Sequence, residues 1–87
     1  MIRDIVALRT LVAIADGGSF SSAAANLRIS RAMASKHIAD LEAELGVKLI
    51  NRTTRRLSLT EAGQQLTAAS RDMLDLLDTT EQDIRSS

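Results

Sequence analysis

SRAMASKHIADLEAEL, running from Ser30 to Leu45, carries two unlike faces at one helical period. Ala34, Ile38, Leu41 and Leu45 fall at i, i+4, i+7 and i+11, which makes a single apolar stripe. Arg31, Ala32, Ser35 and Lys36 lie on the first two turns and point elsewhere. They are small, polar or basic, and no acid follows them until Asp40. Ser30 is a good N-cap, because its hydroxyl accepts an otherwise orphaned first-turn N–H, and Gly46 sits where a left-handed C-terminal cap belongs. A helix anchored at its rear and offering short polar and basic groups at its front suits the major groove of DNA. An ordinary amphipathic helix with a solvated face has the same pattern. The flanking segments separate the two readings.

Upstream, Asp4 is placed to cap a first helix running to about Ala15, with Ile5, Leu8, Leu11, Val12 and Ala15 as its apolar stripe. Gly17-Gly18 ends it and lets the chain turn. Ser19 is the next N-cap and opens a short helix through about Leu27, with Phe20, Ala23, Ala24 and Leu27 on its buried side. Two helices crossing steeply need small residues at the contact, and the alanines supply them. Arg28-Ile29-Ser30 is long enough only for a tight turn, with Ile29 tucked into the core. A short alanine-rich helix, a three-residue turn and a capped basic helix are the arrangement of a helix-turn-helix.

Downstream of Gly46 the period changes from helical to alternating. Lys48 to Arg52 and Arg56 to Leu59 form two short strands, with Thr53-Thr54-Arg55 between them as a hairpin loop. A two-stranded hairpin cannot stand alone and must lean on the helices. Its tip carries Arg55 and Arg56 with no neighbouring acid. Beside a helix-turn-helix, such a basic hairpin reads as a wing touching DNA backbone or minor groove rather than as a solvated turn. Thr60 caps a last helix, with Glu61 well placed for the helix dipole. Leu66, Ala69, Met73, Leu76, Leu77 and Ile84 form its stripe, which weakens after Thr79-Thr80. Gly63 is unfavourable in a helix interior and is read as permitting a close contact. A long helix beyond a compact head has little to bury itself against within one chain, so pairing with a second subunit is expected.

The 87 residues make one small domain with room for an appended element, and the alanine- and leucine-rich composition with no proline and one aromatic, Phe20, favours aliphatic helix packing. The absence of cysteine excludes disulfides and thiolate metal sites, and the single histidine, His37, argues against zinc. No signal peptide or membrane-length apolar run is present, so a cytoplasmic protein without membrane contact is expected. The formal net charge is zero, yet residues 1–59 hold nine Lys/Arg against five Asp/Glu, whereas residues 60–87 hold two against six. A basic head faces a polyanion while an acidic tail stays off it.

The continuous text from Leu8 to Gly63, LRTLVAIADGGSFSSAAANLRISRAMASKHIADLEAELGVKLINRTTRRLSLTEAG, resembles the N-terminal DNA-binding region of the LysR-type transcriptional regulators. GSF followed by AA, the Ser30 and Ser35 start of the third helix, LEAELGVKLI, the RTTRR wing and LTEAG carry the resemblance together. It implies a mainly α fold: a winged helix-turn-helix of three helices and a two-stranded β wing in residues 1–59, then a linker helix for dimerisation in residues 60–87. It further implies a homodimer on a pseudo-palindromic operator in double-stranded DNA, with a tetramer possible in a full-length protein. Family members also carry a larger C-terminal α/β domain that binds a small-molecule inducer. This chain stops at the linker helix and is expected to be a fragment or an isolated domain. Where the family commonly has Gln and Pro after Ser30, this chain has Arg31 and Ala32, so guanine rather than adenine becomes the natural partner of the first. Met33-Ala34 replaces a common Ala-Val pair, and Leu11 and Ile50 replace phenylalanines.

Arg31, Ala32, Ser35 and Lys36 are the candidates for reading base edges, with Met33 as an apolar contact. Ser19, Ser21 and Ser22 are placed to bind phosphate through hydroxyls and backbone N–H groups, or simply to cap the helix. Arg52, Thr54, Arg55 and Arg56 are wing contacts, although Arg52 alternatively only braces the hairpin. His37 stands where the family usually has Gln and is read as a solvated or phosphate-edge histidine in preference to a pH switch. Leu66, Ala69, Met73, Leu76 and Leu77 are the dimerisation seam. An enzyme is the rival class, but no glycine elbow, paired buried carboxylates or room for a pocket is apparent. A purely structural dimerisation module leaves the basic wing and capped basic helix unexplained. No cofactor is expected.

Overall fold

In the computed structural model, which describes residues 2–53 and 56–86, four helices and a two-stranded sheet follow in the order α1 Ile5–Gly17, α2 Phe20–Leu27, α3 Arg31–Leu45, β1 Ile50–Arg52, β2 Leu57–Leu59 and α4 Glu61–Ser86. Local chemistry sets the boundaries. Asp4 Oδ1 accepts the Val6 and Ala7 amides at 2.9 and 3.2 Å, Ser19 Oγ accepts the Ser22 amide at 3.0 Å, and Ser30 Oγ accepts the Met33 amide at 3.0 Å. Gly18 and Gly46 close α1 and α3 at φ +77° and +72°. The α2–α3 turn passes through Arg28, which takes the left-handed conformation without being glycine.

The core is aliphatic: Leu11, Ile14, Ala34, Ile38, Leu41 and Leu49 are fully buried, with Phe20, Ala23 and Ala24 from α2 closing it. The face of α1 differs from the expected stripe. Ala7, Leu8, Thr10, Leu11, Ala13 and Ile14 are buried, while Ile5 is exposed and Val12 and Ala15 are half-buried. Thr10 turns inward because its hydroxyl has partners there: it donates to Val6 O at 2.8 Å and meets His37 Nδ1 at 2.9 Å. Leu45, the last member of the α3 stripe, is exposed.

The strands are shorter than read from the sequence. They pair antiparallel, with Ile50 opposite Leu59 and Arg52 opposite Leu57. Thr53 closes the hairpin by donating to Arg56 O at 2.7 Å. Thr54 and Arg55 lie outside the described residues.

The largest correction concerns α4. Its first half has something to bury against in its own chain: Gly63, Thr67, Ser70 and Leu74 face the head, and α4 packs on α1. Gly63 does permit a close contact, since a Cβ there would overlap the Leu49 carbonyl. Two ion pairs cross the α1–α4 contact, Arg9 to Asp78 at 3.1 Å and Arg71 to Asp16. Beyond the Asp78 contact α4 has no buried residue, and the molecule is 49 Å in its longest dimension.

Candidate nucleic-acid interface

The front of α3 is open. Arg31, Ala32, Met33 and Lys36 are exposed and Ser35 is half-buried, while Ala34, His37 and Ile38 hold the opposite side in the core. Because Ala34, Ile38 and Leu41 anchor the helix from behind, its first two turns are presented on a rigid base. The wing stands alongside, and Phe20, Arg31, Ala32, Ser35, Arg52, Thr53 and Leu57 line the groove between them. Two guanidinium groups from different elements thus face one concavity. Of the two roles open for Arg52, bracing has direct support: its guanidinium carbon lies 4.7 Å from the Phe20 ring centroid, a cation–π contact joining wing and α2. Arg52 is exposed and also lines the groove.

Lys36 is exposed but not independent. Its Nζ donates to Asp40 Oδ2 at 2.8 Å, and that hydrogen bond, reinforced by the carboxylate charge, raises the lysine pKa. Spacing of four residues was the readable signal for this pair. Ser19 and Ser22 cap each other: Ser22 Oγ donates to Ser19 O at 3.1 Å and Ser19 Oγ donates to Ser22 Oγ at 3.0 Å. Ser21 is exposed beside them, and Arg56 is exposed on the wing. His37 is a correction. It is only 8% exposed and turns Nδ1 inward onto Thr10, so it is not a solvated histidine. The Thr10 proton goes to the Val6 carbonyl, which can only accept, so His37 Nδ1 carries the hydrogen that joins α3 to α1.

The proposed seam divides. Met73 is 50% and Leu76 70% exposed, with Ala69 and Leu77 also exposed, whereas Leu66 is half-buried and packs on the core of its own chain. Residues overlooked in the sequence are Phe20 and Leu57 as groove walls, and Glu42, whose carboxylate reaches across the α3–β1 turn. Among the described residues, no group of three or more His, Cys, Asp or Glu could hold a metal ion, and no helix is long and apolar enough to cross a membrane.

Comparison with known proteins assigns this architecture. The family model for bacterial regulatory helix-turn-helix proteins of the lysR family matches residues 5–64. The chain belongs to the LysR family. Among LysR-family relatives, the HTH-type transcriptional regulator PtxR of Pseudomonas aeruginosa is 41% identical over 78 residues, covering 90% of this chain and 25% of PtxR. The transcriptional activator AllS of Salmonella typhi is 44% identical over 78 residues, with the same coverage of each chain. The LysR-family chain described here therefore spans about a quarter of the length of these relatives. Its fold matches the CbnR DNA-binding domain in a DNA complex, with TM-score 0.86, 30% identity and 97% of both chains covered. It likewise matches the BenM DNA-binding domain in complex with catB site 1 DNA, with TM-score 0.91, 28% identity, and 97% and 93% covered. The winged helix-turn-helix expected from the sequence is the fold observed.

Proposed function

We propose that this LysR-family chain is the sequence-specific DNA-binding part of a transcriptional regulator acting in the bacterial cytoplasm. The observation that carries this reading is the groove between the open front of α3 and the wing, walled by Arg31 and Arg52. The DNA complexes of the CbnR and BenM domains, which share this fold, support it. Residues 1–59 are the DNA-reading head and residues 60–87 the linker. Residues 31–45 enter the major groove, where Arg31, Ala32, Met33, Ser35 and Lys36 meet base edges. The wing, residues 50–59, lies on the backbone or in the minor groove through Arg52, Thr54, Arg55 and Arg56. Ser19, Ser21 and Ser22 meet phosphate; His37 is assigned no contact. A homodimer through α4 presents two heads to a pseudo-palindromic operator. No catalysis is assigned.

Titration of random-sequence duplex at several salt concentrations tests the reading first: log K should fall linearly with log salt. Selection from a random duplex pool should then return two inverted half-sites. Arg31→Gln should change the preferred base at one position of each half-site by about 1–3 kcal/mol. A chain that binds no duplex even at low salt overturns the proposal.

A further inference from the structure

The root of the wing is held by a carboxylate from the recognition helix. Glu42 sits on the last turn of α3, and its side chain is only 11% exposed. Its Oε2 accepts two consecutive backbone amides, Leu49 at 2.9 Å and Ile50 at 3.4 Å. Oε1 lies 3.9 Å from Lys48 Nζ, at the loose edge of an ion pair. The same peptide is held from the other side by the start of α4. Thr60 N–H donates to Leu49 O at 2.9 Å, Thr60 Oγ1 donates to Lys48 O at 2.7 Å, and Gly63 leaves no Cβ against the Leu49 carbonyl. Leu49 itself is fully buried. Its N–H is thus fixed to α3 and its C=O to α4, so the strand that enters the wing has no freedom to swing.

We infer that Glu42 is a positioning residue for DNA recognition, whose carboxylate sets the wing against the recognition helix by holding the Leu49 and Ile50 amides. This role rests on the proposed function. A half-buried carboxylate needs donors, and two amides satisfy one of its oxygens. A β1 start without that acceptor leaves two amides unsatisfied beside the core. Ile50 and Arg52 share a three-residue strand, so a shift at Ile50 carries Arg52 away from Phe20 and Arg56 away from its place across the hairpin. Glu42 touches no DNA; it determines whether the wing arginines reach it.

A double-mutant cycle on the full chain, read as salt-dependent binding to random-sequence duplex, tests this role. In the parent, Arg56→Ala should lower the salt slope by about one unit. Glu42→Ala should weaken binding by about tenfold and lower the slope similarly, and in its background Arg56→Ala should have no further effect. Glu42→Gln keeps an acceptor oxygen and should recover most of the affinity. If Glu42→Ala does not fold, Glu42→Asp, which withdraws the acceptor by one methylene, replaces it in the cycle. Independently, hydrogen exchange at the Leu49 and Ile50 amides should be slow in the parent and markedly faster in Glu42→Ala. Full additivity of the two substitutions, or parental binding by Glu42→Ala, overturns the role of Glu42 while leaving DNA binding intact. A parent that binds no duplex overturns the proposed function, and the amide exchange still tests the tether.

Discussion

Thr10 and His37 show how a polar contact can select which face of a helix goes inward. Thr10 is fully buried in an aliphatic core, and it is tolerated there because both of its hydrogen-bonding capacities are used. Thr10→Val keeps the shape but leaves the His37 Nδ1–H without an acceptor, and should cost about 1–3 kcal/mol. Thr10→Ser should cost markedly less. Urea unfolding of both variants checks this, and equal losses would show that the methyl rather than the hydroxyl matters. This pair was not legible in the sequence. A threonine among Leu8, Leu11 and Ile14 looks like a break in the apolar face, and its partner lies 27 residues away. The caps at Asp4, Ser19 and Ser30 were legible, because each acts on amides two or three residues along the chain.

Among the elements, α4 departs furthest from its sequence pattern. Two stripes overlap on it: Gly63, Thr67, Ser70 and Leu74 are buried against the head, Gly63 on the Leu49 carbonyl, whereas Met73, Leu76 and Ile84 remain outside. Small polar residues are ordinarily exposed, so the outer stripe looked like the only buried one. The inner stripe is not fully satisfied. The Thr67 and Ser70 hydroxyls are buried with no hydrogen-bond partner among the described residues. Removing an unsatisfied hydroxyl without changing shape is favourable. Thr67→Val and Ser70→Ala should therefore each stabilise the chain, by about 1 kcal/mol, in thermal unfolding monitored by circular dichroism. Destabilisation by both would mean that the hydroxyls have partners after all. Recognition helix and wing followed the opposite course. Their order and approximate limits were legible, but the Glu42 tether was not, since a contact seven residues apart across a turn has no periodic signature.

For the whole molecule, the outer stripe of α4 is the surface through which the proposed dimer would form. Leu76→Asp places a charge at a position 70% exposed in one chain, so the head should remain folded while self-association falls at least about tenfold in sedimentation equilibrium. Persistence of the dimer would remove Leu76 from the seam. Leu66 is a poorer probe, because shortening it also opens the core of its own chain. Docking of α4 on α1 carries a pH signature. The hydrogen bond and charge of Arg71 lower the Asp16 pKa below its ordinary value of 3.8. A lowered folded-state pKa stabilises the chain above the unfolded value, and the contribution is lost as pH falls through the folded one. The stability difference between parent and Arg71→Gln should hold from neutral pH to about pH 4, then vanish on further acidification, and shrink with salt where it is present. A difference that survives at low pH would assign it to packing of the arginine stem. Beyond Asp78, the outermost tie to α1, the helix runs on for eight residues to Ser86, an arm of about 12 Å at 1.5 Å per residue. Tilting that arm by about 10° displaces its tip by about 2 Å, over half the rise of a single base pair. If two chains pair along such arms as proposed, the two exposed α1–α4 ion pairs act as the calibration screw of a caliper: loosening them should widen the range of half-site gaps that the two heads can span together.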